Sequence, residues 1–113
     1  MTTQSITDRV RRLIQDTDSQ NYHWSDEQIK TDIQFAIRAL HKERPETRYV
    51  GGSVVDCVML PAEDSAEIEI NDRYEECIVY YAAHLAYSDD CTDPVSKQLA
   101  DDFLGKFKVH VRM

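Results

Sequence analysis

The sequence predicts a mainly α-helical single domain with a small β part. Four helices form a body over about residues 5–106, a β-hairpin at about 54–70 lies between helices 2 and 3, and a strand-like tail covers 107–113. Three observations predict this. Apolar residues recur every three or four positions in four stretches, and strictly every second position in two others, 66–70 and 107–113. Only 3 glycines and 3 prolines interrupt 113 residues, which suits helices with short connections. A chain of this length buries about two-thirds of its unfolded surface, enough for one core and too little for two.

The segment from Tyr74 to Tyr87 organises the rest. Beyond Glu76 it carries no formal charge, and its apolar side chains point all around a helical wheel, so the helix must be covered on most sides. Its uncharged run is far shorter than the ~20 apolar residues a bilayer requires, and His84 interrupts it, so the cover is expected to be protein and no membrane partner is expected.

In chain order, Ser5 is the expected cap of a first helix, with Asp8 three residues on and Ile6, Val10, Leu13 and Ile14 on one face. Arg9, Arg11 and Arg12 read as its solvated side, with an ion pair to another subunit as the sharper alternative. The second helix is the best signposted. Ser25 and Gln28 have capping-box spacing, Trp24 and Ile29 are placed as a hydrophobic staple, and Asp26 and Glu27 suit the positive end of the dipole. Ile29, Ile33, Ala36, Ile37 and Leu40 continue its stripe until Pro45, which pushes Arg44 out of the helical region and ends the helix near Glu43.

From there the period becomes extended. Residues 54–60 and 66–70 read as the two strands of a hairpin closed by 61–65, one face apolar and the other acidic, with Glu67, Ile68 and Glu69 as candidate channel or subunit-interface residues. A two-stranded hairpin is marginal alone, so it is expected to pack on helices or on another chain. Gly51 and Gly52 are followed by neither the lysine nor the helix of a phosphate loop. Asn71 and Asp72 can cap the third helix; Asp93 and Pro94 can start the fourth, with Val95, Leu99, Phe103 and Phe107 on one face and Gly105 as a candidate C-cap. The tail then alternates, Phe107, Val109, Val111 and Met113 against Lys108, His110 and Arg112. It is expected either to close a small sheet or to add as a strand to a partner.

The net charge of -8 is unevenly distributed: residues 1–55 balance, residues 56–102 carry -11, and residues 103–113 carry +3. A body this acidic disfavours groove binding to nucleic acid, which calls for a clustered basic face. Three cysteines without a CxxC pair read as reduced thiols, and the N-terminus lacks the basic and apolar regions of a secretory signal, so synthesis in a cytoplasm is expected. No catalytic, cofactor or metal site is expected. His23, His41, His84 and His110 lie on separate elements without metal-ligand spacing; Cys77 and His84 share a face of a buried helix, where packing is the ordinary role. The aspartates at 89, 90 and 93 lack the glycine and bidentate glutamate of a calcium loop.

Taken together, these residues resemble the small head-to-tail adaptor (connector) proteins of tailed bacteriophages. The resemblance lies in Trp24, Ser25, Asp26, Glu27, Gln28 and Ile29 opening a long helix and in Arg44, Pro45 and Glu46 closing it. It continues in Leu60-Pro61, in Asp72, Arg73 and Tyr74 before a Tyr/Ala-rich helix ending near Asp90, and in Ala100 to Phe103 of the last helix. It implies a virion protein of the neck, made in the host cytoplasm, that forms a homo-oligomeric ring, usually a dodecamer, beneath the portal protein. Such a ring extends a channel for DNA passing without sequence-specific binding and docks a tail or nozzle component. Phe107, Lys108, Val109, His110, Val111, Arg112 and Met113 are the expected partner-binding residues. A second reading, from charge alone, is an acidic interaction module that mimics DNA and blocks a host enzyme.

Overall fold

The computed structural model describes residues 1–15, 24–89 and 94–112. Among them, four α-helices, α1 (Thr3–Leu13), α2 (Asp26–Glu43), α3 (Glu75–Ser88) and α4 (Pro94–Val111), accompany one antiparallel pair of short strands, β1 (Tyr49–Val50) and β2 (Ser53–Val54). Two single 3-10 turns, Pro45–Arg48 and Asp72–Tyr74, complete the connections.

As its all-round apolar surface requires, α3 is the hub, packing on α1, α2 and α4. Cys77, Ile78, Val79, Ala82, Ala83 and Ala86 are buried. The alanines let neighbouring helices approach closely. Ile29, Ile33, Ala36, Ile37 and Leu40 of α2 are fully buried, so its predicted stripe is the core face. Between α3 and α4 runs an aromatic seam: Tyr81 meets Phe107 edge-on at 4.8 Å, and Tyr87 stacks on Phe103 at 5.9 Å. Trp24, buried at the start of α2, meets Tyr87 edge-on at 6.0 Å.

The caps explain the helix starts. Ser25 and Gln28 form the predicted reciprocal capping box, and α2 ends at Glu43 with Arg44 outside the helical region at φ -132° and ψ 80°. At α1, by contrast, the box is made by Thr2 with Ser5 at its third position, so the helix begins two residues before Ser5. The free N–H of Gln4 is taken by the Asp64 carbonyl at 3.0 Å. Arg11 is not a solvated residue: it is buried, donating to the Trp24 carbonyl at 3.1 Å and to Asp26 Oδ1 at 2.6 Å, and so ties α1 to the start of α2. The predicted Asp93 cap lies outside the described residues.

Both strand expectations are corrected. Residues 54–60 and 66–70 do not pair with each other as a hairpin; the hairpin is β1–β2, closed by Gly51 and Gly52 at φ +58° and +86°, as a primed two-residue turn requires. The physical reason is competition for backbone groups. Gln34 of α2 donates to the Val58 carbonyl at 2.9 Å and accepts from the Leu60 N–H at 3.0 Å, while His41 Nε2 accepts from the Val58 N–H at 3.0 Å. The second limb is occupied separately: Ile68 donates to the Met1 carbonyl, and Glu67 bridges to Thr2.

The tail is likewise not a strand, because α4 continues as a helix to Val111. Phe103, Phe107 and Val111, spaced by four, are all buried, so the helical stripe simply continues through the residues that also alternate by two. Gly105 lies inside the helix rather than at its cap.

Candidate interaction surface

The segment from 48 to 70 is the least regular part of the fold and the most one-sidedly charged. Between residues 56 and 72 the sequence holds six acids and no base. The first limb is fixed from below by Gln34 and His41, seven residues apart on the inner side of α2. Because the Val58 N–H donates to His41 Nε2, the ring's proton sits on Nδ1, which donates to Thr47 Oγ1 at 2.6 Å; that hydroxyl donates in turn to the Arg44 carbonyl at 2.7 Å. Burial first, then the nearby Arg48 guanidinium, lowers the pKa of His41, which keeps the ring neutral and this chain intact.

Held apart in this way, the two limbs leave an open cleft of about 440 Å³. Val50, Val55, Cys57, Met59 and Ala66 supply apolar walls, and Glu67 and Glu69 stand at one side. Met59 is 62 % exposed, so an apolar side chain of the wall lies in the open. Ile68 points into the core while Glu67 and Glu69 point out, so the predicted alternation holds locally although the partner strand differs. Glu67 and Asp72 receive the Met1 ammonium at 2.8 and 2.7 Å, and these two contacts raise its pKa from 8.0 to about 10. Among the described residues, Glu69 has no ion-pair partner.

The other candidate surface is the end of α4. Phe107 and Val111 belong to the protein's own core, which corrects their expected partner-facing role. Lys108, Val109 and Arg112 face outward, Val109 being 60 % exposed. His110 is half-buried; its Nδ1–H donates to the Lys106 carbonyl at 2.9 Å, and its Nε2 lies 3.4 Å from Glu76. Met113 lies outside the described residues. Lys106 sits over the rings of Tyr80 and Phe103 at 5.6 and 5.5 Å. Among the described residues, Lys108 and Arg112 have no ion-pair partner.

Cys77 is buried, which raises its thiol pKa, and His84 donates from Nδ1 to the Ala100 carbonyl at 2.8 Å. Among the described residues no group of three His, Cys, Asp or Glu side chains gathers for a metal ion, and no helix is long and apolar enough to cross a membrane. Asp32 is buried on α2 with Oδ2 lacking any hydrogen-bond partner.

Sequence reasoning located the acidic stretch and the basic chain end but missed the cleft. The available signal was Gln34 and His41, two polar side chains at an i, i+7 spacing beside an apolar stripe. The fold and this surface define a mainly helical protein with an acid-sided apolar cleft at one site and a basic, partly apolar helix end at another. Comparison with protein-family models, with curated proteins and with solved structures finds no match.

Proposed function

We propose that the chain is a structural virion protein, a head-to-tail adaptor of a tailed bacteriophage. It forms a ring under the portal protein, extends the channel for DNA and docks a tail or nozzle component. The observation that carries this reading is the segregation of uncompensated charge and exposed apolar side chains onto two different surfaces of one chain. Two complementary but unlike surfaces on one subunit favour heterologous association, which forms a ring where the rotation between successive copies closes and a filament where it does not. Acidic side chains facing a lumen would repel phosphate and let DNA pass without sticking. The resemblance described above supplies the phage setting, and with it the neck of the virion as location.

The test is the particle mass by light scattering, over a range of concentration, with and without the candidate portal. A ring-sized particle or a portal complex gaining many copies is expected. A monomer at every concentration that adds no mass to the portal overturns the reading. If such a monomer instead captures a basic host protein in a salt-dependent way, the charge-mimic alternative replaces it.

A further inference from the structure

We infer that the cleft between the two limbs of 50–69 is the acceptor for the α4 end of a second copy, with Val109 entering the apolar floor and Lys108 and Arg112 meeting the acidic side. This rests on the assembling role proposed above and names the contact that would produce it. The occupant is a copy of this chain because both halves of a complementary pair lie on the same molecule. Glu69, at the cleft, and Lys108 and Arg112, on α4, have no ion-pair partner among the described residues. Val109 is the large apolar side chain left outside the core in the last turns of α4, at 60 % exposure, with Lys108 beside it and Arg112 three residues on.

The cleft's shape and chemistry match. Its volume of about 440 Å³ takes more than one valine, so the aliphatic stems of neighbouring cations can lie along its walls while their charged ends reach the acids. Met59, 62 % exposed at the wall, is a side chain that adapts to an incoming surface. The α2 clamps turn the N–H groups of Val58 and Leu60 away from the cleft, so recognition falls to side chains rather than to an added strand. Knob and cleft are different surfaces, so each copy offers one of each, and the contact propagates beyond a dimer.

Charge reversal and cross-linking test this together on the full chain. Lys108→Glu alone and Glu69→Lys alone are each expected to weaken association by about tenfold or more, since like charges then face each other across the contact. Lys108→Glu combined with Glu69→Lys in one chain is expected to restore it. Independently, Val109→Cys under mild oxidation is expected to give a ladder of species larger than a dimer through the cleft thiol of Cys57, and Cys57→Ser in that background to abolish the ladder. Circular dichroism confirms that each variant folds. Assembly that ignores both reversals, or a ladder that survives Cys57→Ser, refutes this contact while leaving the adaptor reading intact. A chain that neither associates nor cross-links refutes the contact as well, and the adaptor reading is then decided separately by portal binding.

Discussion

Replacing Asp32 by asparagine should stabilise the fold at neutral pH, because α2 buries a carboxyl group that it does not satisfy. Asp32 is only 8 % exposed, and its Oδ2 meets no donor. Burial, and secondarily the charge of Asp89 across a shared surface hollow, push its pKa up from 3.8 to about 7. A carboxyl whose pKa is raised on folding holds its proton more tightly in the folded state. Its burial is therefore harmless below about pH 4 and costs progressively more as pH rises towards about 7. At about 1.4 kcal/mol per pH unit the full cost at neutral pH is on the order of 4 kcal/mol, an upper bound because the hollow admits some relaxation. Asp32→Asn removes the charge, keeps the shape and offers an N–H to Asp89, but leaves part of a polar group unpaired, at a cost of about 1 kcal/mol or more. The expected net gain is about 1–3 kcal/mol near pH 8, or roughly 4–13 °C in melting temperature for a domain of this size, shrinking to nothing or reversing near pH 4. Urea denaturation of both proteins across that range measures it. A stability difference that does not change with pH would refute the buried-charge argument.

The hydrogen-bond chain through His41 predicts an opposite pH dependence. Its pKa is lowered on folding, so its contribution is complete above the ordinary value of 6.5 and is lost as pH falls through the lowered folded value; the protection factor of the Val58 amide, corrected for the intrinsic pH dependence of exchange, should fall as the ring protonates, and protection that persists once imidazole NMR shifts show His41 protonated would contradict the assigned hydrogen bond. Gln34→Leu strands the Val58 carbonyl and the Leu60 N–H and should cost about 1–3 kcal/mol, read as a lower urea midpoint with loss of protection at Leu60. Phe107→Ala should cost about 3–5 kcal/mol, because the ring is 4 % exposed and packs on Tyr81; a cost below about 1 kcal/mol would place Phe107 outside the core.

Those residues also mark where the sequence could be read and where it could not. The extent of α2 was legible because local chemistry settles both ends: a capping box at Ser25 and Gln28, and Pro45 after its last turn. The all-apolar character of α3 identified the hub without any tertiary information. The first limb was misread because its β-prone side chains say nothing of who competes for its amides, and here Gln34 and His41 won. The cleft was invisible for the same reason, being a by-product of two limbs each bound elsewhere. Arg11 looked like its neighbours Arg9 and Arg12, and only the docking of α1 beside the start of α2 separates it from them.

The α4 end carries the same lesson into function. Seven residues that alternate apolar and basic are compatible with a strand, but Phe103, Phe107 and Val111 are also compatible with a helix already nucleated upstream. Extending a helix adds one hydrogen bond per residue fixed, whereas a new strand must first find an edge. The two limbs that looked like strands are already bound, one by α2 side chains and the other by the Met1–Thr2 segment. The helix therefore wins, and it redistributes the tail's side chains: half of the expected apolar contact face turns inward to hold the core, while Val109 is left outside among cations. A partner that recognised the tail as a strand would need Phe107 and Val111 free, and removing them from the core costs several kcal/mol, as the Phe107→Ala estimate indicates. Recognition of an intact helix end by a side-chain-lined cleft carries no such cost, so any partner of this end should read Lys108, Val109 and Arg112 and leave the backbone untouched.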